Sequence, residues 1–169
     1  FSREFPNIRL RISEELYIEQ LTRLRKGEVD VAIGPRPEGL PHGEFVVEEL
    51  MPVSMVVVVR RGNPLARAKS LSELLDAKWV FTGAAADTGY ARTLFARHGL
   101  PAPPAGAMVN STLALVSIIC TGEYVGLLPL QIAQHPMAAQ HMNIVATSEG
   151  PLLATIVAAS PESRAATPL

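Results

Sequence analysis

Apolar and polar positions follow two different periods along this chain. Ile8, Leu10 and Ile12 alternate with Arg9, Arg11 and Ser13, the period of two expected of a strand with one buried face. Tyr17, Leu21 and Leu24 instead recur at helical spacing. Arg23, Arg25 and Lys26 gather toward the end of that run and Gly27 follows as a terminator, which predicts an amphipathic helix. Val29, Val31 and Ile33 read as a second strand, closed by Gly34-Pro35-Arg36-Pro37 because two prolines cannot continue a ladder. Residues 44–50 and 54–60 are further strand candidates, separated by Met51-Pro52-Val53. The consecutive valines Val56 to Val59 suit a strand covered on both faces.

The second half repeats the alternation. Ser70 with Glu73 forms a capping-box pattern that opens a short helix over 71–76, and Trp79-Val80-Phe81 reads as a strand followed by a small-residue loop over 82–87. Thr88 is placed to cap a helix reaching His98, closed by Gly99 and Pro101. After the short strand Ala107-Met108-Val109, Asn110 is placed to cap a helix over 111–121, with Leu113, Val116 and Cys120 facing inward and Gly122 ending it. Residues 124–128 form a strand, Pro129 begins a short helix to His135, 143–145 are extended, and 152–158 form a last apolar strand. Residues 160–169 are expected to fray. At the other end, residues 1–6 read as the last turn of a helix stopped by Pro6.

Strands alternating with helices predict an α/β fold with largely parallel sheets. The exception is Pro52, where two strands meet with no helix between them, so the chain can pass there from one sheet to another. The strand at 152–158 can return. The expected architecture is two Rossmann-like lobes joined by two crossing segments, one at Pro52 and Val53 and one at Pro151 and Leu152. Lobe 1 takes residues 1–52 plus 152–169, and lobe 2 takes 53–151. Ligands of such folds bind at the carboxyl ends of the strands, in the crevice between lobes.

Composition narrows the function. With 169 residues, 48% hydrophobic, and a mean hydropathy of +0.21, the chain can bury a core, which excludes a disordered tail or a disulfide-stapled mini-protein. Fifteen Lys and Arg against 16 Asp and Glu give a net charge of −1, so the bulk positive field that draws proteins to nucleic acid is missing. Direct DNA contact by these residues is not expected. The single cysteine, Cys120, excludes an internal disulfide, reads as a small buried hydrophobe, and fits a reducing, cytoplasmic location. No apolar run reaches membrane-spanning length. The chain begins at Phe1 rather than Met and so reads as part of something longer.

Catalytic chemistry is hard to assemble from these residues. His42, His98, His135 and His141 have no metal-binding spacing, no glycine fingerprint follows the first strands, and no nucleophile elbow is present. Neither a metal nor a cofactor is expected, and an enzyme is disfavoured. The pairs Glu14-Glu15 and Glu48-Glu49 read as solvated charges. What recurs is a small polar or turn-forming residue where a strand ends or a helix starts: Gly34 and Pro35, Thr82, then Asn110, Ser111 and Thr112. Helix N-termini carry unpaired N–H groups and a positive dipole end, which suit a carboxylate, sulfonate or phosphate. Tyr17 reads either as a core residue or as a ring lining the cleft, and Arg36 either as an anion clamp or as a solvated charge.

These residues also resemble a known family. Leu21-x-x-Leu24-x-x-Gly27-Glu28-Val29-Asp30-Val31-Ala32-Ile33-Gly34-Pro35 is similar to a segment of the effector-binding domain of LysR-type transcriptional regulators. So is Val57-Val58-Val59-Arg60-Arg61-Gly62-Asn63-Pro64-Leu65-Ala66, with Asn63 where the family usually has His. Ser70-Leu71-x-x-Leu74 before Trp79-Val80 fits as well. Val116 followed by Gly122-Glu123-Tyr124-Val125-Gly126-Leu127-Leu128-Pro129 is a fourth match, with Tyr124 in place of a glycine.

The resemblance implies a type 2 periplasmic-binding-protein-like fold whose first lobe-1 strand lies upstream of Phe1. It also implies a small-molecule effector in the interlobe cleft, homodimerisation of this domain with higher oligomers in the full-length protein, and DNA contact only through an upstream winged helix-turn-helix domain. Carried over by position, the effector site comprises Tyr17, Pro35, Thr82, Asn110, Ser111, Thr112 and Pro129, joined by Gly34 from the strand-end argument. Residues 8–13 and 88–98 are expected to form the homodimer surface. The competing expectation is a solute-binding protein of a transport system.

Overall fold

The computed structural model describes residues 1–15, 17–36, 43–82 and 89–162, apart from the side chains of Tyr17 and Ile18. Helix α1 (Tyr17–Lys26) buries Leu21 and Leu24, carries its basic residues in the last turn, and ends at Gly27 with φ 67°. There the Glu28 N–H donates to the Arg23 carbonyl and the Gly27 N–H to the Leu24 carbonyl, which satisfies two carbonyls the helix would otherwise leave open. Strand β1 (Ala32–Pro35) follows, and α1 covers the face that carries Ala32. Val31 and Ile33 face the other way and are 51% and 62% exposed, so within the apolar alternation these two mark the open face, whereas Val29 packs on the covered side.

The two strand candidates around Pro52 are one. Strand β2 runs unbroken over Phe45–Arg60, with an irregularity between Glu49 and Met51 where its register against β7 (Leu152–Pro161) shifts. Proline is tolerated because β7 alone pairs with β2 at that point, the next neighbour joining only from Met55 onward, so a missing donor need not break a ladder. β2 and β7 pair antiparallel over the whole of β7, from Phe45 opposite Pro161 to Met55 opposite Leu152. β2 and β7 carry the chain across Pro52 and Leu152 within one hydrogen-bonded sheet rather than from one sheet to another, and β7 extends through residues 160 and 161, where fraying was expected.

The remaining elements are β3 (Trp79–Thr82), α2 (Tyr90–Arg97), β4 (Ala105–Val109), α3 (Thr112–Thr121), β5 (Val125–Pro129), α4 (Leu130–Ala133), α5 (Pro136–Ala139) and β6 (Met142–Ile144). Hydrogen bonds join seven strands in the order β1-β7-β2-β5-β3-β4, with β6 also beside β2. The sheet is mixed rather than largely parallel. β3 runs parallel to β4 and β5, whereas β1, β2, β5, β6 and β7 pair antiparallel, because the crossing strands run against each other and against β5.

Two apolar layers cover the β2–β5–β3–β4 part of the sheet. On one face Val57, Val59, Leu71, Leu74, Trp79, Phe81, Leu94 and Phe95 pack together. Trp79 is fully buried, meets the Phe95 ring edge-on at 5.3 Å, and donates from Nε1 to the Leu74 carbonyl at 2.9 Å. The other face holds Val58, Val80, Leu115, Ile119 and Leu128. The valine run at 56–59 thus serves both layers. Around β1 the core is thin: Leu21, Leu24 and Ala159, with Val29, Ala32, Phe45 and Val47 partly covered.

Local chemistry departs from the sequence reading in several places. Residues 8–13 join no ladder, and Ile8, Leu10 and Ile12 are exposed, Ile12 to 88%, because among the described residues nothing pairs with them. The turn at 71–76 is a short 3₁₀ segment, Leu71–Leu74, and Ser70 caps none of its N–H groups. Ser70 Oγ instead donates to Glu73, which also accepts from the Lys69 N–H, and Glu149 takes the Leu71 N–H. Asn63 caps a second 3₁₀ turn, Pro64–Arg67. Its Oδ1 accepts from the Leu65 N–H at 2.9 Å, while Nδ2 donates to Glu123 at 3.1 Å. The Thr88 cap lies outside the described residues.

Candidate functional site

The parallel strands aim their carboxyl ends at one edge of the sheet. Thr82 ends β3 opposite Val109, the last residue of β4, so Asn110 and the start of α3 lie immediately beyond it. Trp79 pairs with Val125, which sets the ends of β3 and β5 level and brings Pro129 to the same edge. Thr82, Asn110, Ser111, Thr112 and Pro129 therefore lie along one edge of the sheet. α3 sits close on the sheet because Gly126 has no Cβ, which would overlap Ile119.

The inward face of α3 differs from the expected one. Leu115 and Ile119 are buried, Val116 and Cys120 pack partly against them, and Leu113 is 68% exposed. Ser111, not Asn110, is the cap: its backbone is extended, and its hydroxyl accepts from the Ala114 N–H at 3.5 Å. Burial raises the Cys120 thiol pKa, which leaves it a packing residue at neutral pH.

Gly34 and Pro35 reach this edge from the other side. Pro35 lies opposite Ile156 and the Arg36 N–H continues the ladder to the Thr155 carbonyl, while β7 lays Thr155 against Pro52. The Arg36 carbonyl accepts from the Tyr90 hydroxyl at 3.4 Å, at the start of α2, so the β1 end touches the element that follows β3. Gly89, with φ 109°, precedes Tyr90, and a Cβ there would come within 2.9 Å of the Thr82 carbonyl. An opening at this junction is lined by Met55, Thr82, Gly89, Tyr90 and Leu127. Arg36 itself pairs with Glu49 at 2.6 Å, the solvated-charge reading. Tyr17 begins α1, and its side chain lies outside the described residues.

Glu14 is the residue that sequence reasoning missed. Its carboxylate accepts from the Ser111 hydroxyl at 3.0 Å and from the Thr112 backbone N–H, at the N-terminus of α3. Hydrogen bonds from the Thr112 side chain and backbone hold the Glu14 carboxyl below the usual carboxylate range, slight burial opposes them, and the Ser111 hydroxyl adds to the lowering. The sequence signal was faint: two adjacent acids, of which the second, Glu15, pairs with Arg23.

Among the described residues, no three His, Cys, Asp or Glu side chains gather as metal ligands, and no helix is long and apolar enough to cross a membrane. What the edge offers is a set of oriented hydrogen-bond donors at a helix N-terminus, backed by small side chains.

Several proteins of known structure share this fold. The CcmR regulatory domain of Synechocystis PCC6803, in complex with 2-PG, superposes with a TM-score of 0.77 at 20% identity, over 95% of this chain and 77% of its own. The effector-binding domain of QuiR in complex with shikimate gives the same TM-score and identity over 98% of this chain and 78% of its own. Among curated proteins, the HTH-type transcriptional regulator GalR of Pseudomonas putida is 35% identical over 109 residues, 61% of this chain and 26% of GalR. GbpR of Azospirillum brasilense, named in the same way, is 25% identical over 126 residues, 72% of this chain and 36% of GbpR. The chain thus spans about a third or less of the length of these curated relatives. The family model for the LysR substrate binding domain matches residues 1–169 from end to end, and the chain belongs to that family.

Proposed function

We propose that this chain is the ligand-sensing part of a LysR-type DNA-binding transcriptional regulator. It binds a small organic anion, a carboxylate or sulfonate, between lobe 1 (1–52 with 152–169) and lobe 2 (53–151). Occupancy passes to a winged helix-turn-helix domain elsewhere in the full-length, cytoplasmic protein. The site comprises Thr82, Asn110, Ser111, Thr112 and Pro129 on one side, and Gly34, Pro35 and Tyr17 on the other. An effector that binds the closed arrangement better than the open one shifts the balance between them by its differential affinity. No reaction follows from binding, so the protein is a sensor rather than an enzyme.

The observation that carries this reading is that the α3 N-terminus already holds a carboxylate, that of Glu14, on Ser111 and Thr112. The relatives support it: both curated ones are named transcriptional regulators, which favours a regulator over a transport protein, and shikimate and benzoate, each with a carboxylate, appear in complexes of neighbouring structures. A homodimer of this domain forms through the exposed Ile8, Leu10 and Ile12 and the outer side of α2, and sedimentation that finds only monomer at high concentration rejects it. Calorimetry of the full-length protein against a panel of small carboxylates and sulfonates tests the site. At least one compound binds the parent, and Asn110→Ala and Thr82→Ala weaken it. Equal binding by both variants rejects the site.

A further inference from the structure

The carboxylate on α3 comes from the chain itself, 97 residues before Ser111. Its neighbours face elsewhere. Ser13 Oγ accepts from Arg23 Nη1 at 3.3 Å, the Glu15 carboxylate pairs with the same guanidinium, and the Glu15 carbonyl accepts from Gln20 Nε2 at 2.9 Å. Helix α1 thus pins residues 13 and 15. Along extended chain, successive side chains point to opposite sides, so pinning these two turns Glu14 toward α3. The segment meets no strand partner, and Glu14 is exposed, so the contact is held by these side chains rather than by a ladder or a core.

An incoming organic anion needs the same donors, the Ser111 hydroxyl and the Thr112 N–H. Two carboxylates cannot share them, because like charges at that distance disfavour each other. We propose that Glu14 is a tethered occupant of the effector site: it holds the α3 N-terminus while the site is empty, and an anionic effector binds by displacing it. The proposal rests on the reading of that N-terminus as the anion subsite, and it adds the step by which binding changes the protein. Displacement breaks the tie between α1 and α3, so a ligand that lands on one element releases the other. The tether sets a high local concentration of the internal carboxylate, in the millimolar range for short linkers, and an effector competes against it. If the occupied state is about nine-tenths populated, the effector's apparent affinity is lowered by roughly tenfold.

Benzoate serves as the probe, with full-length parent, Glu14→Ala and Glu14→Gln compared by calorimetry and by hydrogen–deuterium exchange of residues 110–116. Without benzoate, exchange of 110–116 speeds up several-fold in Glu14→Ala. Benzoate binds Glu14→Ala about tenfold more tightly than the parent, with Glu14→Gln between them, and restores protection. Arg23→Ala, which frees the Ser13 and Glu15 side chains, keeps the Gln20 bond to the Glu15 carbonyl and leaves the donors intact, gives a smaller change in the same direction. A purely structural Glu14 would make the variants less stable without tightening benzoate, and unchanged or weaker binding in Glu14→Ala overturns the competition. Unchanged exchange in 110–116 overturns the contact. If exchange speeds up as expected but no protein binds benzoate, the competition also falls; if a wider carboxylate and sulfonate panel is then inert too, the anion reading of the site has failed rather than the Glu14 contact.

Discussion

The two ends of the sheet are built to different standards. Around β3, both faces are covered, and Trp79, Phe95, Leu94, Ile119 and Val125 are essentially inaccessible. Around β1, the buried set is Leu21, Leu24 and Ala159, one face is covered by α1, and Val31 and Ile33 are exposed. Burial stabilises at about 25 cal/mol per Å² of apolar surface, so the two regions differ greatly in what holds them. The well-packed part is a platform that fixes the donors at the start of α3. Among the described residues, the thin part is held by the ladder between β1 and β7, one helix and a few ion pairs.

Mutations at either end test this contrast. Trp79→Ala removes the largest buried ring and its bond to Leu74, with an expected cost of about 3–5 kcal/mol, read as a lowered midpoint of the whole transition by circular dichroism in denaturant. Leu24→Ala costs about 2–3 kcal/mol, but mainly around β1. Its exchange near Ala32 accelerates while fluorescence of the single tryptophan keeps its midpoint. Coincident shifts of both probes would make the two regions one cooperative unit and remove the contrast.

Smaller effects separate roles at the shared edge. Ser111→Ala loses a cap and costs about 1 kcal/mol, whereas Thr82→Ala, exposed and capping nothing, stays within about 0.5 kcal/mol by thermal melting. The smallest expected change follows pH. Because Glu14 has a lowered carboxyl pKa in the folded protein, its contribution is full above the ordinary carboxylate range and is lost as pH falls through the folded value. Glu44, beside Arg25, is lowered as well, so acid lability is shared. The difference between parent and Glu14→Gln isolates the Glu14 part: it shrinks as melts are repeated at falling pH below the ordinary carboxylate range, and a difference that does not change with pH rejects the assignment.

Local rules made much of this readable. Leu21 and Leu24 with Gly27 placed α1, and the strand-end polar residues Thr82, Asn110, Ser111, Thr112 and Pro129 do share one edge. Failures came where a long-range partner decides the outcome. Pro52 looks like a break because a proline lacks a donor, yet with β7 alone beside it the strand continues. Ile8, Leu10 and Ile12 have the right period, but period alone supplies no neighbour. Leu113 was expected inward, yet Leu115 and Ile119 are the residues that meet Val58, Val80 and Leu128, a choice made by the sheet they pack on. Glu14 could not be paired by any local rule, since its donors are nearly a hundred positions away.

Between Pro52 and Ser54 the sheet narrows to the antiparallel ribbon of β2 and β7 alone, just past the register shift between Glu49 and Met51. Such a ribbon flexes and twists far more readily than it stretches, since stretching would tear cross-strand hydrogen bonds in series. Relative motion of the two ends of the sheet is therefore a change of angle at this narrow part, whose displacement grows with distance from it.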